Sequence, residues 1–383
     1  MCNSAKLKER KRKIVIVCSY PPPYVGMPIY AERFSDYLLE RAFRCKVINM
    51  SPQKREGKAS HVLAPGGGRL LKYFSSMWLL LVNSSDLVHV NASSSWSFWG
   101  SLVLCMFCRL IGRKVVLSIH GGTFPGKVRK YRVTTRFAAR LGLAFPHRVI
   151  CINDSIREVV ESLGVPRERT SLIPVFCLAY LPTSVSRAEI SKEVVQFCES
   201  HNPVIVAGPR LEIQSSGGWQ TPIIAFPRLK QRLPGVGMVI VGSGDKEEDC
   251  RQMIASRGLS KDVLLAVDVP HPQVITIFKE LADVLVRPTG NDGDASFVRE
   301  GLALCKPMVA SDTDFRPEGV MLFKKGDAED LAEKVEYVLG RKEEIETQLK
   351  RIEHPDYFAE TVNLYESLVA QRGLKSKSKA SNG

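Results

Sequence analysis

The sequence has no apolar run of the roughly 18 residues that a membrane-spanning helix requires, so a spanning helix is not expected. Behind the basic N-terminus, the apolar run Ile14 to Cys18 is too short for the core of a signal peptide and meets Pro21, Pro22 and Pro23. It is read instead as the first core strand of a cytoplasmic protein. Paired Cys/His spacing of the zinc-finger kind is missing, and so is an aromatic RNA-binding strand, so nucleic acid is not an expected partner. No short-period repeat is present, though the two halves share an architecture. Cys105-Met-Phe-Cys108 has no second pair and no nearby His, which argues against zinc or redox chemistry. The ten cysteines are scattered, and Cys18, Cys105, Cys151 and Cys305 fall within apolar strand or helix patterns, as buried reduced thiols do. Acidic residues are short: 40 against 54 basic ones, a net charge of +14. Such an excess points to an anionic membrane or a phosphorylated substrate. Part of it lies in Lys6 to Lys13 and Lys375 to Lys379, which read as tails.

What remains is an ordinary globular composition, 44% hydrophobic and 25% charged, in a chain of 383 residues that suits two domains. Apolar strand patterns alternate with helical ones. In the first half, strands are expected at Lys13–Ser19, Cys45–Asn49, Leu87–Asn91, Val115–His120, Arg148–Asn153 and Thr170–Pro174. Helices are expected at Pro28–Arg41, Trp99–Ile111 and Ile156–Leu163. The second half repeats the scheme, with strands at Pro203–Gly208, Gly237–Val241, Val263–Val267, Val284–Arg287 and Met308–Ser311. Its helices are expected at about Thr221–Arg232, Glu247–Arg257, His271–Glu280 and Phe297–Leu304. Such alternation implies an α/β fold with two doubly wound parallel sheets. The expected division is 1–176, a linker region 177–200, 201–355, a helix at 356–370 packing back on the first domain, and a disordered basic tail at 371–383.

The most informative stretch runs from Arg287 to Ser311. A strand ends at Arg287, a loop rich in Gly and Asp follows, and apolar residues at Phe297, Val298, Leu302 and Leu304 then take helical spacing. Asp294 or Ser296 can cap that helix, and its first turn offers N–H groups and a positive dipole end to a phosphate. Asp292 and Glu300 are separated by seven residues, one in the loop and one inside the helix, so both can border a single ligand. This arrangement resembles the acidic–seven residues–Glu motif of retaining glycosyltransferases with two Rossmann-like domains, the GT-B fold, and most closely family 4 (group 1). The usual first residue of that motif is Glu, so Asp292 departs from it.

The resemblance runs along most of the chain. Ser19-Tyr-Pro-Pro-Pro-Tyr-Val-Gly26 matches a proline and glycine loop near the donor phosphate and the acceptor, with Gly26 alone where relatives carry two adjacent glycines. His120-Gly-Gly122 matches a His that contacts the donor sugar and its phosphate, whereas His89 reads as a core residue. Arg148 to Asp154 and Leu163 to Pro174 match the passage toward the second domain. Val204-Ile-Val-Ala-Gly-Pro-Arg210 matches the strand that delivers an Arg to the donor diphosphate, a role that suits a permanently charged planar fork. The Lys-Gly that follows in relatives is absent here, and Arg316 is a candidate replacement. Gly242 and Gly244 match the glycine turn beside the nucleotide, and Val267-Asp-Val-Pro-His271 the segment beside the base.

The resemblance implies two facing domains with the ligand in the cleft between them, and a nucleoside-diphosphate sugar, UDP rather than GDP, as donor. Sugar or lipid-linked acceptors are implied, in polysaccharide or glycolipid synthesis. It assigns the sugar to His120 and Asp292, and the ribose to Glu300. The phosphates fall to Arg210 and the backbone at Asp294, Ala295, Ser296 and Phe297. No cofactor or metal is implied, although Asp292-Gly-Asp294 also spells the metal-binding D-x-D of another transferase fold. A sugar-nucleotide epimerase and a degenerate, non-catalytic binding protein stay open as alternatives. Lys127-Val-Arg-Lys-Tyr-Arg132 with Arg136, interleaved by Tyr131 and Phe137, is a candidate contact for an anionic membrane, which would make the protein peripheral.

Overall fold

The structure, a computed structural model, describes residues 11–21, 26–51, 59–93, 96–211 and 218–380, without the side chains of Arg69 and of 371–380. The proline loop from Pro22 to Val25, the basic residues Lys6 to Arg10 and the stretch from Ile213 to Gly217 lie outside it. The chain divides into two compact units. The first runs to Val175 and takes the chain back at Tyr357; the second is Phe176–Asp356.

The first unit is built in chain order from β1 (Lys13–Cys18), α1 (Gly26–Glu40), β2 (Arg44–Asn49), β3 (Val62–Leu63), α2 (Arg69–Val82), β4 (Leu87–Ala92), α3 (Trp96–Leu110) and β5 (Lys114–Ile119). It continues with α4 (Phe124–Arg129), α5 (Val133–Leu143), β6 (Arg148–Cys151), α6 (Asp154–Ser162) and β7 (Thr170–Leu172). Its seven strands are parallel, in the order β3-β2-β1-β4-β5-β6-β7. Strands buried on both faces read as continuous apolar runs, as Lys13–Cys18 and Lys114–Ile119 do beyond their first residue. Alternation then sorts the faces. Val88 and Val90 pack with Phe98, Leu102 and Cys105 of α3. His89, between them, points the other way, toward Phe34 of α1 at 6.2 Å between ring centroids. Asn153 ends the loop after β6 as a true cap, its Oδ1 accepting the Ile156 N–H at 2.8 Å.

The second unit opens with short turns and α7 (Lys192–Glu199), then β8 (Val204–Ala207), α8 (Gln220–Arg232), β9 (Gly237–Val241), α9 (Glu247–Ser256), β10 (Val263–Ala266) and α10 (His271–Thr276). A π-helical segment, Ile277–Leu281, leads to β11 (Val284–Arg287), α11 (Ser296–Ala303), β12 (Met308–Ser311), β13 (Val320–Phe323), α12 (Ala328–Leu339) and α13 (Lys342–Leu349). The sheet is parallel, in the order β10-β9-β8-β11-β12-β13. The two parallel sheets with their helices are the α/β architecture that the alternating pattern implies.

Several elements differ from the sequence reading. The stretch 177–200, read as a linker, contains α7, whose Val194 and Cys198 are buried in the second core with Ile190. Its apolar positions are few, so strand periodicity lapsed without the chain leaving the core. The helices α2, α4, α5, α12 and α13 were missed as well, as were the edge strands β3 and β13. In α2 the apolar residues run around much of the circumference, which blurs the helical period. The last helix, α14 (Tyr357–Ala380), continues through ten residues read as a disordered tail. That stretch holds no proline, and its Gln, Arg, Leu and Lys residues cost a helix little, against Gly373 and two serines that cost it more.

Within the first unit, α14 closes the face that His89 occupies. Phe358 meets Phe34 at 5.0 Å and Tyr37 at 5.3 Å between centroids. The Tyr365 hydroxyl lies 2.5 Å from His89 Nδ1, and His89 Nε2 lies 2.6 Å from Ser118 Oγ. His89 is fully buried, so its role is structural, as the sequence suggested. The nine described cysteines are free thiols. Cys105 and Cys108 are buried within the α3 packing, and burial pushes the Cys108 thiol up to about 12.

Burial holds His89 neutral down to about 3 and His120 down to about 4. The unfolded chain protonates such rings near 6.5, so between about 6.5 and 4 it binds protons that the folded chain refuses, and stability falls as pH falls. At pH 5 the refusal at His89 alone is worth about 2 kcal/mol. Denaturant unfolding should therefore show a lower free energy at pH 5 than at pH 7. Imidazole NMR signals of His89 should not titrate above pH 4; a midpoint near 6.5 would contradict its burial.

Candidate functional site

In the second sheet, β8 and β11 are neighbours, and the chain leaves β8 toward β9 on one side and β11 toward β12 on the other. That divergence is a topological switch point, where the loops after two adjacent strands part and leave a crevice. Gly208 to Arg210 follow β8, and Pro288 to Ala295 follow β11. The two loops are tied together across the switch. Arg287, the last residue of β11, donates from Nη1 to the Gly208 carbonyl at 2.7 Å, and Arg210 Nη2 donates to the Asn291 carbonyl at 3.2 Å. Phe297, in the first turn of α11, lies over Gly208 so closely that a Cβ there would come within 2.1 Å of its ring. Gly208 must be glycine for α11 to start where it does.

Asp292 sits at the centre of this loop, 8% exposed. Arg287 reaches it with both arms of its fork, Nη2 to Oδ1 at 2.8 Å and Nε to Oδ2 at 3.0 Å. Arg316 Nη1 donates to Oδ2 at 2.8 Å. The remaining Arg316 donors go to the Ser311 carbonyl and hydroxyl and to the Thr289 carbonyl. Burial by itself would raise the Asp292 pKa, but the two guanidinium groups outweigh it and hold the carboxyl ionised, well below the usual carboxylate range. Two cations share one anion here, so the cluster keeps a net positive charge. Arg316, considered from the sequence as a replacement for the missing Lys, is committed to this cluster and is 4% exposed in its side chain.

The cap of α11 is not the one expected. The helix begins at Ser296 with Ala295 as its N-cap, and no side chain caps it. Asp294 turns instead to Arg299, whose Nε donates to Oδ1 at 2.8 Å. A cation five residues away outbids the backbone for that carboxylate, because a charge-assisted bond is roughly twice as strong as a neutral one. The other carboxylate oxygen, Oδ2, is buried with no hydrogen-bond partner. Since a helix's first-turn N–H groups have no intrahelical acceptor, Ser296 and Phe297 present donors that no side chain of the helix start satisfies.

Glu300 lies on the next turn and is 2% exposed. Its Oε2 is 3.1 Å from Nε2 of His271, the first residue of α10. Gly301, beside it, brings α11 down on the sheet: a Cβ there would sit 2.5 Å from Met308 and 2.6 Å from Leu285. The glycine turn after β9 is shaped by close approach too. Gly244 has φ +152° and its Cβ would lie 2.1 Å from the Leu211 carbonyl oxygen, so no larger residue fits. Gly242 donates its N–H to Ala266 at 3.3 Å. Ser243 Oγ donates to Asp268 Oδ1 at 2.8 Å, which latches this turn to the loop after β10.

The structure thus gathers Arg210, Asp292, Asp294, Ala295, Ser296, Phe297 and Glu300 on the carboxyl end of one sheet, with Gly242 and Gly244 on the neighbouring loop. Arg287 and the His271 contact were missed from sequence. The signal available for Arg287 was a lone cation closing an otherwise apolar strand.

In the first unit, His120 follows β5 and is anchored by its N–H to the Ala92 carbonyl at 2.8 Å. Its Nε2 lies 2.8 Å from Asn91 Oδ1. With the Asn oxygen as acceptor, Nε2 carries the proton and Nδ1 is left as an acceptor. Burial keeps the ring neutral at pH 7, so His120 is equipped to exchange hydrogen bonds with hydroxyl groups and not to supply a charge to phosphate. Tyr30 of α1 packs against it at 5.2 Å between centroids. Gly26 opens α1, and a Cβ there would meet nothing within 4 Å, so packing of the chain itself does not require glycine at that point.

Two family models match the sequence. The one described as Glycosyltransferase Family 4 matches residues 24–176, and the one described as Glycosyl transferases group 1 matches residues 212–353. No curated protein sequence matches. Among solved structures, sucrose-phosphate synthase from Thermosynechococcus elongatus superposes with a TM-score of 0.69 at 15% identity, over 97% of this chain and 100% of that one. A glycosyltransferase from Rickettsia africae gives 0.67 at 13% identity, over 94% and 99%. Anabaena HepE, solved in complex with UDP-glucose, gives 0.65 at 17% identity, over 96% and 99%. At these identities the structural likeness speaks for the fold, while the two sequence models speak for the family. The chain belongs to the group 1 glycosyltransferases of GT-B fold.

Proposed function

We propose that the protein is a retaining glycosyltransferase that moves a sugar from a UDP-sugar to an acceptor hydroxyl, in the assembly of a polysaccharide or glycolipid. One observation carries the reading: the switch point of the second sheet joins an uncapped helix start at Ser296 to Arg210 and to a net-positive arginine cluster. A nucleoside diphosphate is the ligand with enough negative charge and oxygen acceptors to match it. Glu300 would accept hydrogen bonds from ribose hydroxyls, exchanging or sharing its His271 contact. Arg210 and the amides at Ser296 and Phe297 would bind the phosphates. The turn at Gly242 and Gly244 would lie beside the nucleoside. HepE, with bound UDP-glucose, supports a uridine donor by analogy of fold.

The chemistry assigned is departure of the diphosphate with positive groups stabilising the charge that develops on it. The acceptor proton passes to the leaving phosphate on the same face of the sugar, so no protein nucleophile takes part. In the Arg287–Ser311 segment, Asp292 and Asp294 are committed to arginines and Glu300 contacts His271, which suits that route better than a covalent intermediate. Neutral His120 is assigned to a hydroxyl of the transferred sugar. Asp292 is reassigned here from sugar contact to loop support, because its carboxylate already holds Arg287 and Arg316. No metal is assigned a role.

Three measurements check this reading. Glu300→Gln should lower transfer from UDP-sugars at least tenfold with the fold intact, since a hydrogen bond to a charged group is worth about 1.5–3 kcal/mol. Near-native kinetics would remove Glu300 from the ribose. Transfer should survive excess EDTA; strict dependence on Mn²⁺ or Mg²⁺ would return Asp292 and Asp294 to metal binding. Asp292→Asn leaves two buried guanidinium groups without their anion, so it should destabilise the protein by about 3–5 kcal/mol. An unchanged unfolding free energy with lost transfer would make Asp292 a sugar ligand instead. Turnover of the donor to an epimer without acceptor would replace transfer by epimerisation.

A further inference from the structure

A carboxylate is the natural occupant of a helix N-terminus, because it accepts from the free first-turn N–H groups and meets the positive end of the dipole. Asp294 is placed to be that occupant for α11. The helix begins at Ser296, after Ala295, whose backbone is extended at φ −75° and ψ 116°. Were the helix to start one residue earlier, Asp294 would be its N-cap. A cap accepts from the second or third helical position, and those positions would be Ser296 and Phe297. Their N–H groups are the ones assigned above to the phosphates of the donor. One carboxylate of the chain and one diphosphate therefore compete for the same two donors.

Arg299 decides that competition. It lies within α11, and its Nε donates to Asp294 Oδ1 at 2.8 Å. The Asp294 side chain is fully buried and that of Arg299 is 12% exposed, so solvent screens the pair little. The guanidinium also lies against Phe315, its central carbon 5.7 Å from the ring centroid. Phe315 belongs to the loop after β12 and precedes Arg316, which holds Asp292 together with Arg287. Those two arginines are taken up by Asp292, and Asp294 is left to Arg299. The Asp294 Oδ2 atom is buried with no hydrogen-bond partner among the described residues. A buried acceptor left unpaired is costly, and a capping position would supply N–H partners. The pair with Arg299 thus holds Asp294 in an incompletely satisfied place, off the helix start.

We propose that Arg299 is a positioning residue for donor binding: it draws the Asp294 carboxylate away from the N-terminus of α11 and keeps the Ser296 and Phe297 N–H groups open to phosphate. This rests on the reading of that helix start as the diphosphate site. Released from Arg299, Asp294 caps α11 and sets a negative charge where the diphosphate has to bind. Loss of the one cation then acts against phosphate twice, by closing two donors and by adding repulsion. Removing Asp294 together with Arg299 leaves the helix start open again, so the second substitution undoes the first.

The test is calorimetric titration of the full chain with UDP and with inorganic pyrophosphate, for the unchanged protein, Arg299→Met, Asp294→Ala and the double variant. Arg299→Met should weaken both ligands about tenfold or more. The double variant should bind UDP within about threefold of the unchanged chain, and Asp294→Ala at least as tightly as the unchanged chain. The loss in Arg299→Met should persist at about 1 M salt, where the screening length falls to about 3 Å, which separates a carboxylate in the site from mere removal of a nearby cation. Hydrogen exchange of the ligand-free proteins gives a second readout. The Ser296 and Phe297 amides should exchange more slowly in Arg299→Met than in the unchanged chain, because they are capped; a loop that has only lost its support would exchange faster. Unchanged UDP affinity in folded Arg299→Met overturns the proposal, and so does a double variant that binds no better than Arg299→Met. Weakened UDP binding in Asp294→Ala alone also overturns it, since Asp294 would then touch the ligand. Should Arg299→Met not fold, the double variant decides: near-unchanged UDP affinity supports the proposal and a loss of about tenfold sinks it. An unchanged chain that binds neither UDP nor pyrophosphate removes the diphosphate site itself, whereas UDP binding indifferent to Arg299 removes this proposal alone.

Discussion

Parallel pairing of every strand is the constraint from which the rest follows. A parallel ladder forces each connection to cross back over the sheet, so all strands of a sheet end at the same edge. In the second unit that edge collects the loops after β8, β9, β10 and β11, which are far apart in sequence. Because β11 lies between β8 and β12, the guanidinium at its last residue can reach the Gly208 carbonyl beside one neighbour and Asp292 in its own loop. Residues separated by some eighty positions are thereby held within hydrogen-bond distance. No side chain there needs a long or costly path to the site.

The electrostatics of this edge rest on a buried two-to-one ion cluster. Such clusters give little net stability, because desolvation of the charges offsets their attraction, yet removing one member is expensive. Here the return is geometric. Arg287 and Arg316 fix the loop from Pro288 to Asp292, and Asp294 is fixed separately by Arg299. With both carboxylates drawn to arginines, the start of α11 keeps its donors uncapped. A helix end left in this state destabilises the free protein slightly and is compensated when an anion binds.

The first unit divides its sheet between two purposes. One face carries a buried His, Tyr and Phe cluster that the C-terminal helix closes, so residues from both ends of the chain depend on each other for stability. The other face carries a helix layer that leaves Phe74, Trp78, Trp96 and Phe137 exposed on its outer side. The same helices that complete the core therefore keep apolar residues on their outer sides. That doubling explains why α2 escaped a periodicity reading: amphipathic patterning is visible only where one side is polar.

The sequence by itself determined the α/β class, the two parallel sheets and the loop between Arg287 and Ser296, because doubly buried strands and glycine-rich turns leave local signatures. His89 was legible as a core residue, since it sits inside an apolar strand, and Glu300 as the acid separated from Asp292 by seven residues. Partnerships were not legible. That Asp292 binds Arg316, that Asp294 chooses Arg299 over the helix start, and that His271 meets Glu300 depend on which loops the strand order brings together. Exposure was not legible either. Leu80 and Trp78 are both apolar residues of one helix, and only packing of α2 against α3 decides that the first is buried and the second is not. Local sequence fixes the period and the turns; burial and charge pairing are decided by neighbours distant in the chain, so they belong to the tertiary structure.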